Sequence, residues 1–202
     1  GDIPIGAAPK NVIVSPDGAT IYVCSDYSGQ NRVTVIDAAT STAVATISLG
    51  NIDPYGMAIA RDKLYVVGTT DGWVYVIDLN SASPTTYRKV IDSRNVGVGA
   101  YDAVARPDGA FVYVSLDRQP NGAVAVIDTA TDQLVGNPIP VGNNPMGMAV
   151  SGNILYVANN LDPSNQISMI NTANNTKLET GAIASGGTSP KALAVSPDGN
   201  KI

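Results

Sequence analysis

The sequence contains no histidine, which removes the commonest metal ligand and the commonest general base together. It holds one cysteine, Cys24, so no disulfide can form within the chain. Charged residues make up only 14% of its 202 positions, against about 25% in an ordinary domain, so Ser, Thr, Asn and Gly must supply the polar surface. The net charge is -5 without a run of one sign, and no basic patch of the kind nucleic acid requires is visible. No stretch approaches about 18 consecutive apolar residues, so no membrane-spanning helix is expected. Gly1 stands in place of an initiating Met with no signal peptide after it, and the expectation is a processed or excised segment. Low charge with abundant Thr and Asn points to an extracellular or cell-surface setting. What the chain does have is 44% hydrophobic residues, enough for a sizeable core.

Those residues recur. Apolar-Tyr-Val appears at Ile21-Tyr22-Val23, Leu64-Tyr65-Val66, Val112-Tyr113-Val114 and Leu155-Tyr156-Val157, with tyrosine spacings of 43, 48 and 43. Val-Ile-Asp ends at Asp37, Asp78 and Asp128, with Met169-Ile170-Asn171 as a degraded fourth copy. A proline marks Pro9, Pro54, Pro145 and Pro190, and the copy missing from this series falls near Ala100. Three markers thus agree on a period of about 45 residues. Within each period lie four short runs rich in Val, Ile, Tyr and Thr, bounded by Gly, Pro, Asn and Asp. Four strands per repeat, without helical periodicity, predict an all-β chain: a β-propeller of four-stranded antiparallel blades. A β-sandwich is the alternative, but it requires no such repeat.

The blades are expected at about 7–50, 51–96, 97–142 and 143–186, as one domain over 1–202. Residues 1–6 match the tail of a rim strand, and 187–202 match an inner strand, its turn and the start of the next strand. Four full blades and parts of a fifth set the expectation of a larger propeller, which at seven blades would need roughly 315 residues.

The quoted repeats, with the turns Val14-Ser15-Pro16-Asp17-Gly18 and Val195-Ser196-Pro197-Asp198-Gly199, resemble the YVTN-type β-propeller repeat over essentially the whole chain. Tyr-Val-x-Asn is intact only at Tyr156-Val157-Ala158-Asn159. The resemblance implies a secreted or surface-layer-like protein, commonly of seven blades. It also implies a kinship with propeller domains of periplasmic redox enzymes and with sugar lactonases.

Antiparallel connectivity sends the a–b and c–d turns to one face of the blades and the b–c and d–a loops to the other. Ser-Pro-Asp-Gly reads as the a–b turn, recurring as Arg106-Pro107-Asp108-Gly109 and alternating with the tighter Ala60-Arg61-Asp62-Lys63 and Ser151-Gly152-Asn153. Asp37, Asp78 and Asp128 read as Asx turns ending the third strand. Carboxylates spread around a ring do not converge as catalysis requires, so no catalytic residue is assigned. The variable face carries the candidates for ligand or partner binding: Lys10, Tyr55, Asp102, Met146 and Lys191 at the channel mouth, and Tyr27, Asp71, Arg118 and Asp162 in the b–c loops. The partner is a protein or a carbohydrate, and an isolated open edge invites intermolecular strand pairing.

Asn160, Asp162 and Asn165 offer oxygens but too few carboxylates for a good calcium site, so no metal and no cofactor are expected. Asn174-Asn175-Thr176 is a glycosylation sequon of a kind that occurs by chance. Trp73 is expected in blade packing, and Cys24 as a small buried hydrophobe. The resulting reading is a non-enzymatic binding scaffold at the cell surface or outside the cell. Its alternatives are a lactonase-like or redox-enzyme propeller whose catalytic residues lie elsewhere, and a unit of a surface array.

Overall fold

The computed structural model describes residues 2–27, 29–117, 122–161, 166–179 and 183–202. Among these, every regular element is a strand, and the strands form four antiparallel sheets in chain order. Blade one holds β1 (Pro9–Val14), β2 (Thr20–Ser25), β3 (Asn31–Asp37) and β4 (Thr42–Gly50). Blade two holds β5 (Pro54–Ala60), β6 (Lys63–Gly68), β7 (Trp73–Asp78) and β8 (Val90–Asn95). Blade three holds β9 (Ala100–Ala105), β10 (Phe111–Leu116) and β11 (Ala123–Asp128), with its outer position split into β12 (Gln133–Leu134) and β13 (Ile139–Pro140). Blade four holds β14 (Pro145–Ser151), β15 (Ile154–Asn159) and β16 (Gln166–Asn171), with β17 (Thr176–Lys177) and β18 (Ile183–Ala184) both paired with β16. In blade three the split has a local cause: Gly136 has φ 64°, and Pro138 has no N–H to donate.

The sheets stack face to face, and each seam between them is a core. Cys24, Val33, Val35 and Ile47 of blade one meet Met57, Leu64, Val66 and Ile77 of blade two. Tyr65, Val67, Val74 and Val76 meet Val112, Val114, Leu116 and Ile127 at the next seam. Tyr113, Val124 and Val126 meet Met148, Leu155, Val157 and Ile170 at the third. Strands β6 and β10 are covered on both faces and are buried at five consecutive positions. That is why the sequence shows the apolar runs Leu64-Tyr65-Val66-Val67 and Phe111-Val112-Tyr113-Val114 there rather than alternation. Cys24 is buried as expected, whereas β1 leaves Val12 57% and Val14 55% exposed.

The repeated tyrosine latches one blade to the next. Tyr65 donates its hydroxyl to Asp132 Oδ1 at 2.6 Å, and Tyr113 donates to Asn175 Oδ1 at 2.8 Å. Asp132 and Asn175 occupy the same place in the c–d turns of blades three and four, with φ of 57° and 55°, a conformation that suits Asp and Asn. Burial and the neighbouring carboxylate push the Tyr65 phenol up, so it stays a donor. The residue two before the tyrosine varies in step with the acceptor. Lys63 reaches Asp132 Oδ2 at 2.6 Å, while Phe111 precedes Tyr113 in the blade whose tyrosine meets the uncharged Asn175. Arg61 Nε donates to Thr129 Oγ1 at 3.0 Å, and Arg106 donates to the Thr172 carbonyl at 2.8 Å. These bonds join a–b turns to c–d turns, so the two turn sets share one face.

The proline turns are structural. Gly18, Gly109 and Gly199 have φ of 72°, 70° and 72°. Asp17 Oδ1 accepts the Ser15 hydroxyl at 2.5 Å and the Ala19 N–H at 3.0 Å. Asp198 repeats this with Ser196 and Asn200. Arg106 grips Asp108 through two nitrogens at 2.7 and 2.6 Å, which holds that carboxyl down at about 2. Asp37, Asp78, Asp128 and Asn171 each accept a backbone N–H from their own turn. The long tyrosine spacing of 48 reflects an extended c–d turn at 79–89, folded back by a bond from Thr86 to Asp78.

Residues 2–6 carry no ladder, and the Ile5 carbonyl accepts hydrogen bonds from Ser25 at 3.2 Å and Thr34 at 3.1 Å, across the face of blade one. The segment at 187–202 keeps the proline turn, closed by Ser196 and Lys201, but carries no ladder. Its Lys191 carbonyl accepts the Gly147 N–H at 2.9 Å, so it lies beside β14 as the next inner strand would.

Candidate functional site

The inner strands β1, β5, β9 and β14 share one irregularity. Pro9, Pro54, Ala100 and Pro145 pair normally with the second strand, and the register then shifts by one residue. Two residues thereby oppose one: Lys10 and Asn11 face Cys24, Tyr55 and Gly56 face Val67, Tyr101 and Asp102 face Ser115, and Met146 and Gly147 face Ala158. A bulge re-aims a side chain that the ladder would otherwise commit to one face. Here it delivers the first bulge residue of each blade to a common opening. The opening is a cleft of about 410 Å³ lined by Lys10, Tyr55, Tyr101, Asp102, Met146 and Lys191 near its mouth. Ile13, Met57, Met148 and Leu193 supply apolar wall.

Side chains on the second strands hold the bulges in place. Ser115 donates its hydroxyl to the Met146 carbonyl at 2.8 Å and accepts the Asp102 N–H at 3.0 Å. Cys24 donates its thiol to the Tyr55 carbonyl at 3.3 Å, and burial pushes that thiol up to about 11, so it remains protonated. The side chains of Cys24 and Ser115 thus each hold the bulge of the following blade. The second bulge residue is constrained by that following blade. A Cβ on Gly56 would stand 2.6 Å from the Asp102 Cα, and one on Gly147 would stand 2.7 Å from the Lys191 carbonyl oxygen.

All five residues expected at the channel mouth line this cleft, but one equivalence is corrected. Tyr101, not Asp102, is the register partner of Lys10, Tyr55 and Met146. Asp102 holds the second bulge position, where blades two and four carry glycine. The signal for Tyr101 was present: in blades with a proline turn, the mouth residue precedes the tyrosine by 12, as Lys10 precedes Tyr22 and Tyr101 precedes Tyr113. The loss of proline at Ala100 removed the visible anchor.

Tyr55 and Tyr101 pack against each other, with ring centroids 4.4 Å apart and planes tilted by 34°. Burial and the adjacent Tyr55 phenol push the Tyr101 phenol up. Asp102 accepts the Met148 N–H at 3.1 Å from the next blade. Burial outweighs its two backbone hydrogen bonds and pushes its carboxyl up to about 6. Lys10 pairs with Asp26 at 3.5 Å.

Of the b–c loop candidates, Tyr27 and Asp71 do not line the cleft. Tyr27 is exposed on the loop after β2, its N–H bonded to Asn31 Oδ1 at 2.9 Å. Asp71 is held within its own loop, accepting the Trp73 N–H at 3.0 Å and the Tyr75 hydroxyl at 2.5 Å. Arg118 and Asp162 lie outside the described residues, as does Asn165 of the weighed calcium set. Among the described residues no group of acids and cysteines is placed to hold a metal. Trp73, expected in packing, is 36% exposed: it begins β7 next to the loop, opposite Gly68, which has no side chain to cover it. Asn174 of the sequon is exposed in its turn, with Thr176 donating to its Oδ1 at 2.8 Å.

No protein-family profile matches the chain. It is 24% identical over 137 residues to the seven-bladed beta-propeller protein Rv1057 of Mycobacterium tuberculosis, a match spanning 66% of this chain and 33% of that protein. Its coordinates superpose on Kuenenia stuttgartiensis hydrazine synthase with a TM-score of 0.80 at 24% identity, covering 98% of this chain and 55% of that one. They superpose on the Cps50 (Swd1) β-propeller domain of Myceliophteria thermophila with a TM-score of 0.75 at 11% identity, covering 96% and 61%. The chain therefore spans a third of its curated relative and a little over half of these structures. At such identities the likeness concerns the fold, and with four radially ordered, four-stranded sheets already in hand it establishes that this chain is a β-propeller.

Proposed function

We propose that this propeller is a non-enzymatic binding scaffold, displayed at the cell surface or outside the cell, that engages its ligand or partner through the channel mouth on the b–c and d–a face. The observation that carries the reading is the division of labour between the faces. Side chains that repeat from blade to blade are consumed in turns and latches. Four that differ, Lys10, Tyr55, Tyr101 and Met146, are gathered by the bulges around one cleft. Repetition serves the scaffold, and divergence at one shared opening is what a grafted recognition surface requires.

Native mass spectrometry of the protein from its natural source tests this. The expected result is a bound molecule or partner that Tyr55→Ala or Lys191→Ala releases and Asp37→Ala retains. Release by the turn variant with retention by the cleft variants would overturn the reading.

An enzymatic reading rests on one observation, the Asp102 carboxyl, whose titration near 6 suits a general acid–base. Hydrolysis of lactones that Asp102→Asn abolishes would favour it.

A further inference from the structure

The cleft has a charge balance opposite to that of the chain around it. The sequence carries 12 basic against 17 acidic residues, yet Lys10 and Lys191 share the cleft with a single acid, Asp102. That acid is already engaged by the Met148 N–H. Lys10 is partly neutralised by Asp26 at 3.5 Å. Lys191 has no acidic partner among the described residues and remains the available cation. Along the arc of inner strands, the tilted Tyr55–Tyr101 pair lies between the two lysines. Met57, Met146 and Met148 complete the walls with unbranched, adaptable side chains.

We propose that this cleft binds a small planar organic carboxylate, with its carboxylate at Lys191 and its ring against the tyrosine pair and the methionine walls. The proposal deepens the reading above and rests on it. A cationic ligand would face two lysines and forfeit the ring-stacking position between them. A saturated ligand would leave the tyrosine faces without a matching plane. A carboxylate carried on a peptide would suit the charge. However, the opening is recessed between inner strands, and its volume of about 410 Å³ falls in the range of small-molecule sites.

Calorimetry of the purified protein with three probes of one shape tests this: benzoate, neutral benzamide and cationic benzamidine. Benzoate is expected to bind about tenfold more tightly than benzamide, the scale of one charged hydrogen bond, and benzamidine is expected not to bind. Lys191→Ala should erase the preference for benzoate and Lys191→Arg should keep it. Tyr55→Leu should weaken benzoate and benzamide alike, and Lys89→Ala, in the distant c–d turn of blade two, should change nothing. Equal affinity for benzamidine, or a benzoate affinity unmoved by Lys191→Ala, overturns the proposal. So does an acidic peptide that outcompetes benzoate and depends on Lys191. If the probes fail while a native partner is still lost from Tyr55→Ala, the ligand class is wrong and the binding mouth stands. If neither cleft variant affects any partner, the mouth itself is not the binding surface.

Discussion

Asp102 is the residue at which the fold and the cleft compete. Its carboxyl titrates near 6 in the folded protein against 3.8 for an unperturbed group. The folded state therefore binds a proton more tightly than the unfolded state, and folding stability falls as pH rises from about 4 to about 6. The penalty is fully present above that window, at about 2–3 kcal/mol. Asp102→Asn should raise the urea midpoint at pH 7 and flatten its change between pH 4 and 6, which parallel denaturation curves would show. The turn acids Asp17, Asp37, Asp78, Asp108 and Asp198 have carboxyls held down by their hydrogen bonds, so their contribution is lost only below that window. The sequence showed both kinds of acid but distinguished them only by recurrence. An aspartate repeated in register reads as a turn. An aspartate standing once, where blades two and four carry glycine, becomes legible only when the register of β9 is known.

At the scale of the element, the latches and bulges set the energetics. Asp132 accepts from Tyr65 and Lys63 together, and Lys63 is mostly buried. Asp132→Asn keeps the tyrosine bond and the positive φ but strands the lysine charge, which should cost about 1–3 kcal/mol in chemical unfolding. Adding Lys63→Phe, the arrangement found between blades three and four, should restore part of that loss, and a double-mutant cycle measures the coupling. Gly56→Ala should destabilise by about 1–3 kcal/mol, because its Cβ would meet the Asp102 backbone of the adjacent strand. The Tyr-Val strands were legible from composition and spacing alone. The bulges were not, since an extra residue in a strand leaves no compositional mark and the proline that flanks it is absent from blade three. The broken outer strand of blade three escaped for a related reason: Leu134, Val135 and Ile139 carry the right residue types, but Gly136 and Pro138 prevent a continuous ladder.

For the whole molecule, the period and the assignment of turns to faces followed from the sequence, because both depend on repeated contacts with a fixed strand order. The seams between blades make protection uneven. Amides of β6 and β10, buried between neighbouring sheets, should exchange with solvent most slowly, and those of β1, whose outward residues stay exposed, should exchange fastest among the inner and second strands. Hydrogen exchange followed by mass spectrometry measures this order, and uniform protection across the four sheets would contradict it. The shifted register of the inner strands has one further consequence. Each mouth residue stands outside the side-chain alternation that builds the seams, so Lys, Tyr or Met can occupy the same place without repacking the core. The opening can therefore change its chemistry one blade at a time, and exchanges such as Tyr55→Lys or Met146→Tyr should alter what is bound while leaving the melting temperature nearly unmoved.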